Sequence, residues 1–387
     1  MLSGQRLPAF RRPTTAHPHL TAMNTPHLFS TPALHAWVAD LWRCAGSSEA
    51  EATLTADHLI GANLAGHDSH GVGMVPLYVN SWVSNELQLN QTAKVTQDSG
   101  SMMTVDGCRG MGQSVTYQAM QLAIERAREH GVCVMGLKHS HHLGRVGHWA
   151  EQAIAAGMIS VHFVNAVHAP SVAPHGGKES RFLTNPFTVG IPVPGREPMV
   201  LDFATTTVAL GKVRVAHLAG KQVPSGSLID ADGTATTDPD VMFPAEGATA
   251  GALLTFAGHK GYALAMVCEV LGAALTGGDT MRAETFTHAV WNNMLTIVFD
   301  PQRMNSSESF GTEARAFIDW VQSSALRQDS PGILMPGDPE RASRRARAEF
   351  IPLDAATLAQ LDEAASTVAK ARSSTLVPLS SLIHPQR

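Results

Sequence analysis

The sequence predicts a protein of two lobes, the first mainly helical and the second mixing strands with helices. Three observations lead there. The chain has 387 residues, more than the roughly 250–300 that a single hydrophobic core accommodates. As far as residue 93 its apolar side chains recur at helical spacing, whereas from Lys94 short apolar runs alternate with longer helical stretches. Hydrophobic residues make up 44% of the chain and charged residues 16%, enough apolar side chain for such cores and too little charge for wholesale disorder. The charge balance of 28 − 33 = −5 lends nothing to a nucleic-acid-binding or membrane-adhesive protein, both of which favour basic surface. No apolar run reaches the ~18 residues of a membrane span. Cys44, Cys108, Cys133 and Cys268 stand far apart without a C-x-x-C pair, so neither a zinc ribbon nor a disulfide framework is expected. Reduced thiols in a cytoplasmic enzyme are the plain reading.

Residues 1–29 read as a flexible tail. No acidic residue precedes Asp40, and Arg6, Arg11 and Arg12 give the composition of a transit peptide. Pro8, Pro13, Pro18 and Pro26 break the amphipathic helix such a peptide needs, and Met23 offers an alternative start. Ser30-Thr31-Pro32 then reads as a helix start, followed by Leu34, Trp37, Val38 and Leu41 on one face. Ser48-Glu49-Ala50-Glu51 reads as a capping box for a helix that buries Leu54, His58, Leu59 and Leu64. Gly66 to Gly73 ends it, and Val75 to Val83 is helical again.

In the second lobe, Gln113–His130 is a long helix closed by Gly131. Val132–Leu137 is a strand, Lys138–Gly144 a polar loop, Arg145–Ala156 a helix and Ile159–Val164 another strand. That order suggests a crossover unit with its loop at a strand's C-terminal end, where ligands bind in open α/β sheets. Phe187–Pro194 and Met199–Phe203 read as strands, and His217–Thr237 as a surface excursion. Lys260–Leu275 is apolar nearly all round and is expected to be a buried helix. Met294–Phe299 is a strand, Ser330–Glu340 a loop with three prolines, and Asp354 caps a last helix carrying Leu358, Leu361 and Val368. The mainly helical domain is assigned to 30–93 plus 345–387, and an α/β domain to 94–344.

Five segments can carry chemistry. Gly66-His67-Asp68-Ser69-His70-Gly71 sets a hydroxyl beside an imidazole, the group that exchanges protons near neutral pH; an exposed helix-capping turn is the plain alternative. His139-Ser140-His141-His142-Leu143-Gly144-Arg145 holds three histidines in four residues, but the helix start with a guanidinium suits an anion better than a cation. Pro174 to Pro186 contains Arg181, Thr184 and Asn185. Asp202 ends an apolar strand, where a carboxylate is costly without a partner; it either orients an imidazole or a hydroxyl, or caps a helix starting at Thr205. Gly258-His259-Lys260-Gly261 is a second possible anion site or a plain helix start. No G-x-G-x-x-G follows a strand, and neither a P-loop nor a G-x-S-x-G elbow is present.

Taken together these segments resemble the type-2 malate/L-lactate dehydrogenase family, most closely its hydroxycarboxylate dehydrogenase B branch. The blocks are 62–71, 140–145, 181–187, 201–204 and 259–264, and the likeness runs from Ser48 to Leu361. It implies an α+β, non-Rossmann fold: a largely antiparallel sheet domain that binds the cofactor, packed beside a mainly helical domain formed by the N- and C-terminal segments, in homodimers. It also implies a nicotinamide cofactor, NAD through the branch with NADP not excluded, and a 2-oxo or 2-hydroxy acid substrate. The catalytic histidine of the family falls on His70, and Ser69 and Asp202 fall on positions that relay charge to it. Cofactor contacts fall on His70, Gly144, Arg145, Val146, Val200, Leu201, Asp202, Phe203, Ala204, His259, Asn292, Gly337, Asp338, Pro339 and Glu340. Many members carry Arg four residues after the catalytic histidine, to hold the substrate carboxylate; here that residue is Met74. Arg145, Arg181 and Lys260 are the candidate replacements, with His142, Thr184 and Asn185 as further substrate contacts, and an aryl pyruvate would suit an apolar residue at 74. Reduction needs His70 protonated and oxidation needs it neutral. The competing reading is a metal-dependent hydrolase using His67, His70, His141 and His142; a third is a cofactor-binding relative without turnover. The reductase reading requires His70 and Asp202 to meet beside a cofactor groove.

Overall fold

The structure is a computed structural model that describes residues 26–385 apart from 219 and 305–306. The transit-like arginines and Met23 lie outside the described residues. The two ends of the chain meet at once. Strand β1 (His27–Ser30) pairs antiparallel with β12 (Phe350–Leu353), so residues 27–29, expected in the tail, are part of a small sheet. Helix α1 (Thr31–Ala45) starts where Ser30 Oγ accepts from Ala33 N–H and Pro32 lies in the first turn. Helix α2 (Glu49–Leu64) is capped by Ser48. Only half of the expected capping box forms: Glu51 turns inward, where it accepts from Ser47 Oγ (2.7 Å) and Asn90 N–H (2.8 Å). With α3 (Val75–Val83) and the last helix, α10 (Ala355–Arg372), these elements enclose one core around Trp37, Trp42, Tyr78, Ile351 and Leu361.

The other large element is a seven-stranded sheet. Its strands are β2 (Lys94–Ser99), β3 (Met102–Asp106), β4 (Val132–His141), β5 (Ile159–Val167), β6 (Phe187–Ile191), β7 (Met199–Phe203) and β11 (Trp291–Phe299), in the order β2-β3-β4-β11-β5-β6-β7. Five of the six pairings are antiparallel and only β3/β4 is parallel, so the sheet is largely antiparallel, as the resemblance implies. Helix α4 (Gly112–His130) and helix α5 (Gly147–Ala155) cover it over a second core that includes Met120, Ile124, Met135 and Trp149. Helix α6 (Leu210–Leu218), a small sheet of β8 (Leu228–Ile229), β9 (Ala235–Thr236) and β10 (Ala252–Leu253), and α7 (His259–Glu269) form a third cluster. Helices α8 (Ser307–Gln322) and α9 (Asp338–Ala346) precede β12.

Four local expectations change. The crossover unit is present in direction only: β4 and β5 run parallel, but β11 lies between them, antiparallel to both. The polar run 138–141 is not loop but the end of β4, paired with Trp291 and Asn292 across a bulge; inward-facing Ser140 and His141 are buried despite their polarity. The proline-rich stretch ends in a helix, because Pro339 falls in the first turn of α9, where its missing N–H costs nothing. Finally, α7 passes into a π-helical turn at Val270–Ala274 and is not buried all round: Met266, Val267, Val270 and Leu275 are exposed in the single chain.

Candidate active site

The turn that carries Ser69 and His70 is fixed by residues distant in sequence. Asn63, at the end of α2, accepts from Val72 N–H (2.9 Å) and donates to Asp68 (2.7 Å). Arg347, just after α9, donates to both oxygens of Asp68 (2.6 and 3.1 Å) and to the Asn63 carbonyl (2.7 Å). Such a two-pronged guanidinium pair fixes orientation as well as adding energy. His67 meets Glu340 at 3.1 Å, which ties the same turn to the start of α9. So held, the turn places Ser69 Oγ 3.0 Å from His70 Nδ1. The His70 ring stacks on His142, with centroids 5.6 Å apart and planes at 18°.

Three predicted cofactor segments converge on β7, one of the two edge strands of the sheet. One side of an edge strand keeps backbone N–H and C=O groups unpaired by the sheet, so Val200 to Ala204 can offer main-chain contacts to a ligand. The 337–340 turn docks there: Val200 N–H donates to the Pro336 carbonyl (3.3 Å) and Arg341 to that of Pro198 (2.9 Å). The β4–α5 turn docks through Asp202, whose Oδ2 accepts from Gly147 N–H (2.8 Å) while Oδ1 accepts from Thr188 (2.8 Å). His259 begins α7 beside the same strand end, where Phe256 N–H donates to the Thr205 carbonyl (3.1 Å) and the Phe203 and Phe256 rings meet edge to face at 5.4 Å. In this cradle the buried Nε and Nη1 of Arg145 have no hydrogen-bond partner, and Nη1 lies 4.0 Å from Asp202 Oδ2. Edge backbone, a helix-terminal glycine turn and spare guanidinium donors fit a phosphate-bearing dinucleotide.

Asp202 therefore caps α5 across space rather than a helix at Thr205. Its hydrogen bonds go to Gly147 and Thr188, and none joins it to His70. Burial pushes His70 down to about 4; His67 and Arg145 push the same way, and the Asp202 charge opposes them.

The cation candidates for a substrate carboxylate do not gather. Arg145 is 2% exposed and bonded to Glu151 (2.5 Å), which also takes two bonds from Arg344 (2.9 Å each). Arg181 is 62% exposed and paired with its neighbour Glu179, and Lys260 is exposed in the first turn of α7. Asn185 is buried, with its amide committed to Glu269 (2.6 Å) and the Ala166 N–H (3.2 Å). Thr184 serves through its carbonyl, which accepts from Thr205. Asn292 is likewise internal, bonded to Leu143 N–H (2.9 Å) and the Asn165 carbonyl (2.8 Å); it holds the loop that presents His142. The Asn185 and Asn292 amides are thus engaged within the protein, whereas Arg145 keeps guanidinium N–H groups without a hydrogen-bond partner and Lys260 stays exposed.

The sequence reading missed Tyr78 and Gln113. The Tyr78 hydroxyl lies 2.6 Å from His142 Nδ1, and Gln113 Nε2 lies 3.1 Å from that hydroxyl. At helical spacing within an apolar face, Tyr78 looks like any core aromatic. The metal-hydrolase reading needs its four histidines to converge, and they do not. His67 is turned to Glu340 and His142 to Tyr78, while His141 is buried with both ring nitrogens unpartnered, edge-on to the Tyr78 ring. Among the described residues no group of three or more His, Cys, Asp or Glu is placed to hold a metal.

Comparison with known proteins gives the family. Residues 29–362 match the sequence profile of the malate/L-lactate dehydrogenases. A hydroxycarboxylate dehydrogenase B of Escherichia coli (strain K12) is 47% identical over 350 residues, 89% of this chain and 96% of its own. An L-lactate dehydrogenase of Cupriavidus necator is 37% identical over 81% of this chain and 90% of its own. The solved structure of a putative malate/lactate dehydrogenase from E. coli superposes with a TM-score of 0.85 at 45% identity, covering 92% of this chain and 97% of that one. The sequence and fold are thus those of an oxidoreductase. The chain belongs to the malate/L-lactate dehydrogenase family.

Proposed function

We propose that the chain is an NAD(P)-dependent 2-hydroxyacid dehydrogenase that works as a 2-oxo-acid reductase, with His70 exchanging the proton. The observation that carries this reading is the His70 imidazole, held by Ser69 and stacked on His142, close enough to Asp202 and Arg145 to feel their charges. A bound nicotinamide would supply the hydride, with NAD preferred through the likeness to the hydroxycarboxylate dehydrogenase B branch. The chain's own part is to hold the dinucleotide along Val200 to Ala204 and the turns at 144–146 and 337–340. It also aligns the ketone against His70 and delivers a proton to the oxygen as it becomes an alkoxide. Ser69 orients the ring, and Asp202 favours its protonated form from a distance. Met74, half-buried against the helical core, places an apolar surface four residues from His70, which supports a bulky or aryl side chain on the 2-oxo acid.

The test is oxidation of NADH and NADPH, followed at 340 nm, against a panel of 2-oxo acids, with His70→Ala alongside. The variant is expected to keep measurable NADH binding and to lose at least about 10²-fold in kcat for reduction. Near-wild-type turnover by His70→Ala removes the assignment. The exposed apolar strip Met266, Val267, Val270 and Leu275 supports a homodimer, and sedimentation at micromolar concentration showing a monomer would end that part. A cytoplasmic location completes the proposal; among the described residues no helix is long and apolar enough to cross a membrane.

A further inference from the structure

We infer that Tyr78 and Gln113 are positioning residues that lock His142 as a fixed Nε2–H donor facing the substrate. This rests on the reductase reading for what His142 binds, but not for its hydrogen bonds. The direction of the chain follows by elimination. Gln113 Nε2 lies 3.3 Å from the His142 carbonyl as well as 3.1 Å from the Tyr78 hydroxyl. A carbonyl only accepts, so the amide must turn its NH2 toward both and cannot be flipped. The Tyr78 oxygen accepts from that NH2, which leaves its own hydrogen free for one partner, His142 Nδ1 at 2.6 Å. An imidazole nitrogen that accepts carries no hydrogen, so the proton of neutral His142 resides on Nε2. Burial keeps the Tyr78 phenol protonated and His142 neutral, and both are needed for this arrangement to persist.

The consequence is a division of labour between two stacked rings. His70 has its Nδ1 beside a serine hydroxyl that either donates or accepts, so it is free to change protonation state. His142 is not: protonating its Nδ1 requires the Tyr78 hydrogen to leave its only acceptor. The pair therefore offers one exchangeable proton and one constant hydrogen-bond donor. Met74 stands where many members of the family carry arginine, and Arg145 and Arg181 are each paired with a glutamate. The structure assigns Tyr78 and Gln113 to fixing a neutral donor for the 2-oxo acid in place of a cation.

The experiment combines nitrogen NMR of the imidazoles in the full chain at pH 7.5 with steady-state kinetics. His142→Asn assigns the His142 signals. Wild type should show His142 with hydrogen on Nε2 alone, and Tyr78→Phe should show a mixture of both tautomers with the His70 signals unchanged. Tyr78→Phe should also raise KM for the 2-oxo acid about tenfold, the size of one lost hydrogen bond, while KM for NADH stays within about twofold. A wild-type His142 with hydrogen on Nδ1 overturns the inference even if no variant folds. So does a Tyr78→Phe protein with an unchanged tautomer, or one that loses stability with unaltered KM. If the wild type reduces no 2-oxo acid, the reductase reading fails, and the NMR result still decides the tautomer.

Discussion

The depressed pKa of His70 decides which direction of the reaction responds to pH. Reduction of a 2-oxo acid consumes one proton, so the ratio of kcat/KM for reduction to kcat/KM for oxidation must fall tenfold per pH unit whatever the mechanism. The pKa of the group that carries the proton decides which direction shows that fall. An unperturbed imidazole, near 6.5, would leave reduction flat below neutrality and put the slope on oxidation. Here burial, reinforced by His67 and Arg145 and opposed by Asp202, brings His70 to about 4. At pH 7 only roughly one molecule in a thousand then carries the proton. Reduction should therefore lose activity with slope −1 throughout the neutral range. Between pH 6 and 8.5, kcat/KM for the 2-oxo acid should drop about 300-fold while kcat/KM for the 2-hydroxy acid stays level. The assay is absorbance at 340 nm in both directions, in buffers of constant ionic strength, with saturating dinucleotide. A reduction profile that is flat to pH 7 and breaks only above it, with oxidation rising below pH 7, would refute the argument: His70 would then be hydrated, or another group would carry the proton.

Two further predictions concern the scaffold. Gly144 has φ 73°, and a Cβ there would lie 2.1 Å from His58 Nε2, the atom that accepts from Arg145 N–H at 2.8 Å. Gly144→Ala should cost more than about 2 kcal/mol, from left-handed strain and an orphaned buried group, read as a fall in the denaturation midpoint; an unchanged midpoint contradicts the close approach. His162 is fully buried between Ser160 and Thr296 and is held down to about 3. The unfolded chain binds the proton that the folded one refuses, so this contribution is present above pH 6.5 and is lost as the pH falls toward 3. Between pH 6 and 5 the loss is about 1 kcal/mol, and His162→Gln should lessen the stability drop of the protein over that interval by the same amount; identical pH profiles for the two proteins would show that His162 titrates normally.

The parts of the site that could be read from sequence are those where chemistry and local grammar coincide. Ser69 and His70 stand in a glycine-flanked turn between helical stretches, and Asp202 is a carboxylate at a strand end. Both features violate local expectation within a few residues. What fixes them does not. Arg347 reaches Asp68 across 279 positions and Tyr78 reaches His142 across 64, and each looks locally like a surface charge or a core aromatic. The run 138–141 misled because polarity suggests a loop, while burial in β4 is set by pairing with β11, 150 residues away. The apolar girth of α7 misled in the opposite sense: uniform hydrophobicity shows that both faces avoid water without showing that one chain covers both. The 19 histidines are the most instructive case. Their number invited a metal, yet His58, His70, His141, His142, His148, His162 and His168 are all pushed toward the neutral form, by burial before any charge. A buried neutral imidazole is at once an aromatic filler and a one-donor, one-acceptor linker, and His162 shows that use without any cleft. What separates His70 and His142 from the rest is therefore not their pKa but their place. One is beside a hydroxyl free to reorient and the other beside a phenol that cannot, and the two rings are stacked on each other.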